Sequence, residues 1–148
     1  MNGLTPKGND FIMPLRCAST EQAMPIGEKW DGATVYAFAR HDTKVTLSWI
    51  TDHGLVAMDS FAIAAGVVAT HDVGKAPKGA VAVYAQSDGD CMLAMRVTAS
   101  GDEGQRDYAV VNAEPATQQA ALAIPADVSS NMVVANMEES QVRVTFVG

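Results

Sequence analysis

The sequence predicts an all-β fold, specifically an antiparallel β-sandwich or barrel of about eight short strands. Short apolar segments rich in β-branched residues alternate with clusters of turn-forming residues. The clearest example lies between Ala80 and Glu114, where turn residues at 87–90 and 101–104 separate the segments AVAVYAQ, CMLAMRVTAS and DYAVVNAE. Connections this short favour antiparallel pairing of neighbouring strands.

The chain of 148 residues is long enough for one domain with a sizeable core. We expect an extended N-terminal arm at residues 1–29 and a single β domain at residues 30–148. Pro6, Pro14 and Pro25 argue against a helix or a central strand in the arm. Two apolar clusters interrupt this polar segment, so we expect it to be held against its own domain or a neighbouring subunit.

The domain begins with segments that read as strands joined by tight turns. Residues 34–40 are apolar on both faces, which predicts burial on both sides. His41-Asp42-Thr43 is expected to turn the chain, and Asp52-His53-Gly54 to form the next turn. Between these turns residues 44–51 alternate, which places one set of side chains in the core. The inward residues of this strand are Val45, Leu47 and Trp49.

Residues 55–70 are expected to form two strands, at 55–59 and 61–69. A buried helix over 61–69 is the alternative, and Gly66 together with the Val67-Val68 pair weighs against it. A three-stranded meander is expected over 80–113. One face of its middle strand is formed by Cys91, Leu93, Met95 and Val97.

The C-terminal third of the chain is expected to hold one helix and one hairpin. The Ala- and Gln-rich run from Pro115 to Ile124 can form two helical turns before Pro125 ends them. The hairpin pairs residues 132–137 with 141–147. Its last strand is expected to point Val142, Val144 and Phe146 inward.

The candidate chemical groups do not form a recognisable catalytic or metal-binding motif. His41, His53 and His71 each neighbour an aspartate, but their spacing matches no metal-ligand pattern, and Asp and His are ordinary turn residues. The acidic loops at 88–90 and 102–103 would lie at opposite ends of one strand, too far apart to share a calcium ion. No nucleophile elbow or phosphate loop is present. We therefore expect a protein that is not an enzyme and has no catalytic residue, metal or cofactor.

Charge and cysteine content limit the partners further. The net charge of −7 disfavours binding to nucleic acid and to anionic membranes. No secretory signal is recognisable at the start of the sequence. Cys17 and Cys91 are interpreted as reduced thiols, with a disulfide between them as the alternative. These features fit synthesis in a reducing cytoplasm.

An irregular N-terminal segment, PKGNDFIMPL, leading into a compact β domain resembles the general plan of tailed-phage capsid decoration (cement) proteins. The resemblance covers the whole chain loosely. It implies a virion structural protein that stabilises a major capsid shell through its arm and one sheet face. It also implies that the major capsid protein or other virion subunits are the partners, that the protein is located in the virion, and that it is a homo-oligomer, with a trimer favoured.

The expected partner contacts are apolar residues of the N-terminal segment, which would anchor it on a neighbouring subunit. They are Phe11, Ile12, Met13, Leu15, Met24, Ile26 and Trp30. The alternative function is a β-sandwich binding module that recognises a glycan or a protein through its end loops. Exposed aromatic platforms at Trp30, Tyr84 or Tyr108 would favour that alternative.

Overall fold

The computed structural model describes residues 3–4, 11–12, 18–26, 32–100, 106–112, 114–115 and 142–145. Within these residues the protein is all-β and antiparallel, as predicted, and contains no helix. The strands are β1 (Gly3–Leu4), β2 (Phe11–Ile12), β3 (Ser19–Pro25), β4 (Gly32–Ala39), β5 (Thr43–Thr51), β6 (Gly54–Ile63), β7 (Val68–Gly74), β8 (Ala80–Ser100), β9 (Arg106–Asn112) and β10 (Glu114–Pro115).

The 21-residue strand β8 forms the centre of an eight-stranded sheet, from which the short β1–β2 pair is separate. The first half of β8 pairs with β3 along one edge and with β5 along the other. Its second half pairs with β4 and β9. Strands β7 and β6 then add to the outer edges of β4 and β5.

The register shows that β4 and β5 follow each other along β8 in the same direction. Ala39 pairs with Cys91 near the end of β4, and Val45 pairs with Ser87 near the start of β5. The chain therefore does not reverse at residues 40–42. The same is true of β6 and β7, which run back along β5 and β4.

The sheet nevertheless folds over on itself. Phe61 of β6 and His71 of β7 are ten positions apart along one edge, which is roughly 30 Å in a flat sheet. Their ring centroids are 4.7 Å apart. The two halves of the sheet therefore face each other, and the strands cross between them at a corner formed by residues 40–42, 64–67 and 87–90.

The turn predictions at this corner were wrong in one respect. Ser87-Asp88-Gly89-Asp90 lies inside the continuous strand β8, and His41-Asp42-Thr43 leads from one strand into a second strand with the same direction. The residue types bend the chain there instead of reversing it. The true reversals in this region are at Asp52–His53, as predicted, and between β7 and β8.

Two aspartates hold the corner by accepting backbone hydrogen bonds. The Lys44 N–H donates to Asp88 Oδ1 at 2.8 Å, and the Ala65 N–H donates to Asp42 Oδ1 at 2.9 Å. Gly66, with φ of 72°, also donates its N–H to the Ala39 carbonyl at 2.9 Å. Backbone donors that lose their ladder partners at the bend are satisfied in this way.

The core lies between the two halves of the sheet and is built from alternating positions. The inward alternation expected for β5 is confirmed, since Val45, Leu47 and Trp49 are all buried. The shared face expected in β8 is confirmed as well. All four of its residues are buried, namely Cys91, Leu93, Met95 and Val97.

Strand β4 is buried fully on one face and half-buried on the other, where two-sided burial had been expected. The helix considered for residues 61–69 is absent, because β6 continues to Ile63 and β7 begins at Val68. Val142 and Val144 are exposed and belong to no strand, so their expected inward orientation was wrong. The helix expected over 116–124 and the strand expected over 132–137 lie outside the described residues.

Candidate functional site

The open side of the folded sheet is the candidate functional site. Strands β6 and β7 are its two outer edges, and within the described residues each pairs along one edge alone. Because the two halves face each other, these edges flank a groove of about 430 Å³ that is closed at one end by the loop before β8. The groove is lined by Trp49, Val56, Ala57, Met58, Asp59, His71, Asp72, Val73, Lys75 and Pro77.

Two contacts join the facing edges inside the groove. The imidazole of His71 stacks on Phe61 with an interplanar angle of 6°. Its Nε2 lies 3.6 Å from Asp59 Oδ2, which makes an ion pair when the imidazole is protonated. The side chain of His71 is 19% exposed and that of Asp59 is 67% exposed, so the carboxylate of the pair is open to solvent. These contacts fix the separation of β6 from β7.

The lining of the groove combines apolar and charged residues. Trp49 belongs to the lining and is 4% exposed. Asp59, Asp72 and Lys75 contribute two negative charges and one positive charge to the lining. Apolar side chains beside a net negative charge suit an extended segment that carries aliphatic side chains and a cation.

Exposed aliphatic side chains lie on or next to both edge strands. Leu55 and Val56, at the start of β6, are 53% and 46% exposed, and Val67 and Val68 at the corner are also exposed. Single exposed aliphatic residues are normal on protein surfaces. Aliphatic residues on an edge strand with unpaired backbone groups are a template for pairing with another chain, which natural proteins normally protect.

The expected arm anchors lie in different places. Phe11 and Ile12 form β2, which pairs with β1 apart from the main sheet. Met24 and Ile26 are buried in the domain's own core, at 0% and 3% exposure. For these two the anchor prediction needs correction, because they attach β3 to its own sheet and are not accessible to a partner. Met13, Leu15 and Trp30 lie outside the described residues.

The boundary between arm and domain moves for the same reason. Strand β3 pairs with β8 over most of its length, and the side chains of Gln22 and Met24 are buried. Residues 19–26 therefore belong to the β domain, although the sequence placed them in the arm 1–29. Pro25 is accommodated at the last position of the strand, where a missing N–H costs least.

The histidines do not converge on one carboxylate. His53 Nε2 lies 3.7 Å from its neighbour Asp52, on the surface, whereas His71 contacts Asp59 from a different strand. Within the described part of the chain, no three His, Cys, Asp or Glu residues are close enough to hold a metal ion.

Cys91 is a free, buried thiol at the corner of β8. Its Sγ lies 3.4 Å from Ser87 Oγ, and burial raises the pKa of the thiol, with Asp90 adding to the rise. A thiol that stays protonated is a poor nucleophile. The neighbouring Gln22, also buried, donates from Nε2 to the carbonyls of Cys91 at 2.7 Å and Ser19 at 2.9 Å. This polar cluster supports the bend of the strands.

Sequence reasoning missed the groove because its two sides come from strands that the sequence shows as separate elements. The available signal was local. Leu55 and Val56 are consecutive apolar residues directly after a turn, so one of them must face outward in a strand. An exposed aliphatic residue at that point marks an edge that is suited to contact with another chain.

The whole chain, residues 1–148, matches the family described as "Family of unknown function (DUF5719)". The protein belongs to the DUF5719 family. Neither a curated protein nor a solved structure matches it. Among the described residues of this DUF5719 protein, no helix is long and apolar enough to cross a membrane. The geometry of the open side is therefore the main guide to its function.

Proposed function

We propose that this DUF5719 protein is a non-enzymatic structural subunit that binds other protein subunits through the open side of its sheet. The observation that carries the proposal is the pair of edge strands β6 and β7, which flank a groove and have no strand partner on their outer edges among the described residues. A strand edge supplies main-chain hydrogen bonds to an added segment, and the groove supplies pockets for its side chains.

In its specific form, the proposal is a capsid decoration protein that stabilises a shell of major capsid protein in a virion. It is supported by the all-β fold, the acidic charge and the resemblance of the general plan. In this form Phe11, Ile12, Met13, Leu15 and Trp30 are proposed partner contacts. Met24 and Ile26 are not among these proposed contacts, because both are buried in the core.

The test uses capsid shells assembled from the major capsid protein that is encoded nearest to this protein's gene. Wild-type protein should sediment with the shells in a saturable ratio and raise their melting temperature. Leu55→Asp places a charge on the exposed edge of β6 and should abolish both effects. Thr46→Asp is the matched control, since it adds the same charge at an exposed position of β5 away from the groove.

Two results would refute the proposal in different ways. If wild-type protein neither sediments with the shells nor stabilises them, the capsid form is wrong. If Leu55→Asp and Thr46→Asp reduce binding equally, the open side is not the contact surface. Circular dichroism of both variants establishes that they are folded before binding is compared.

A binding module remains the second candidate, because the groove could hold a segment of a protein ligand. A glycan is a poorer fit to the described residues. Trp49 is buried, Phe61 is covered by His71, and Tyr84 is half-buried, with its pKa raised by burial and by the nearby Glu21. None of these rings offers the open face on which a sugar stacks. Saturable binding of the wild-type protein to a glycan array would favour the module.

A further inference from the structure

The described C-terminal residues have a strand-like sequence without a strand. Residues 142–145, Val-Arg-Val-Thr, alternate apolar and polar side chains with the period of a half-buried strand. In the structure they form no regular element, and Val142 and Val144 are 53% and 45% exposed. A segment of this pattern buries its valines only when it is added to a sheet.

The groove at the open side has the complementary pattern. Along β7 the inward-facing positions, Ala69, His71 and Val73, are half-buried, while Asp72 between them faces outward. If residues 142–145 were added to this edge as a strand, Val142 and Val144 would lie on the inward face, beside the inward positions of β7. They would also contact Val56 and Met58 of β6.

Charge favours the same arrangement. With its valines inward, the segment points Arg143 to the outer face, where Asp72 lies on the neighbouring strand. Opposite charges on neighbouring strands of one face attract, and like charges there repel.

We propose that residues 142–145 of a second copy of this chain enter the groove between β6 and β7 and extend the sheet at the edge of β7. The inference rests on the proposed function, because it names the occupant of the same open side. The added strand would lie between two edges that face each other, so it would shield the exposed Val56 and the unpaired backbone of β7. Repeated between copies, the contact gives a homo-oligomer, which is closed when two copies exchange segments or when the rotation between copies closes a ring.

The test measures self-association of the full-length chain by sedimentation velocity over a range of concentrations. Arg143→Glu and Asp72→Arg should each weaken association about three- to tenfold in Kd, because each replaces an attraction by a repulsion. The double variant restores opposite charges and should recover most of the loss. Arg40→Glu, an equal charge change at an exposed corner residue, should leave Kd unchanged.

A wild-type chain that stays monomeric at high concentration would overturn the inference. So would equal effects of Arg143→Glu and Arg40→Glu, or a double variant as weak as the worse single variant. The two proposals can fail separately. If Leu55→Asp abolishes binding to capsid shells but Arg143→Glu leaves self-association unchanged, the proposed function stands. Residues 142–145 of a second copy are then not what fills the groove. Arg143 is exposed and makes no contact with a described residue, so its variant should fold normally, which circular dichroism checks.

Discussion

Replacing Asp88 tests whether turn-type residues hold the bend of the sheet. Asp88 Oδ1 accepts a 2.8 Å hydrogen bond from the Lys44 N–H, which joins β8 to β5 where both strands cross the corner. Asp88→Ala removes this acceptor. Because the site is exposed, water can replace part of the bond, and the expected loss is about 0.5–1.5 kcal/mol in the free energy of unfolding.

For a chain of this length, a loss of about 1 kcal/mol lowers the melting temperature by roughly 2–4 °C. Urea unfolding followed by circular dichroism should show a lower midpoint with an unchanged slope, since the surface exposed on unfolding stays the same. Asp88→Asn keeps an oxygen acceptor and should retain most of the stability.

Asp90→Ala is the matched control. It removes the same charge two residues away, also at an exposed position, and Asp90 accepts no hydrogen bond from a described residue. We expect a midpoint close to that of the wild type. If Asp88→Ala and Asp90→Ala shift the midpoint equally, the effect is one of net charge, and the bond to Lys44 does not hold the corner.

Three further predictions concern stability. Gln22→Leu leaves two backbone carbonyls without their donor and should cost about 1–3 kcal/mol by urea unfolding. By the same measurement, Gly79→Ala should destabilise the protein more than Gly66→Ala. Both glycines have positive φ, so both variants are strained. A methyl group at Gly79 would also lie 2.5 Å from Asp52 Oδ1, whereas one at Gly66 would face open space. Burial raises the pKa of the Cys91 thiol above its ordinary 9.0. The stability that the buried, protonated thiol contributes is therefore full below pH 9.0 and is lost as the pH rises toward the folded-state pKa. The urea midpoint of Cys91→Ala should therefore fall less than that of the wild type between pH 8 and pH 11.

Each of these has a clear contrary result. A neutral Gln22→Leu would mean that the two carbonyls have other partners. Equal losses from Gly79→Ala and Gly66→Ala would show that backbone strain outweighs the contact with Asp52. Parallel pH profiles for wild type and Cys91→Ala would mean that the thiol titrates alike in the folded and unfolded states.

The sequence predicted the fold class and the inner faces of the central strands because both depend on local alternation. The pattern of Val45, Leu47 and Trp49 has period two, and burial of one face follows directly from it. The chemistry of the residues around Asp88 was recognised as well. These residue types indicate that the backbone bends at this point, but they do not show whether the chain reverses. Pairing with β4 and β5 decides this, because it keeps β8 continuous through the bend.

The candidate site could not be predicted in the same way. Asp59 and His71 meet because β6 and β7 lie on opposite sides of the corner and face each other, which is a property of the whole sheet. Met24 and Ile26 were interpreted as anchors for a partner because prolines surround them. Pairing of β3 with β8 overrides that local signal and buries both residues in the core.

Amide hydrogen exchange along β6 and β7 tests the central claim, that the open side of the sheet is where subunits meet. We expect fast exchange of the edge amides at 55–59 and 70–73 in dilute protein. The same amides should be strongly protected when the protein is concentrated or bound to capsid shells. Protection confined to other strands, with these amides equally exposed in both states, would contradict it.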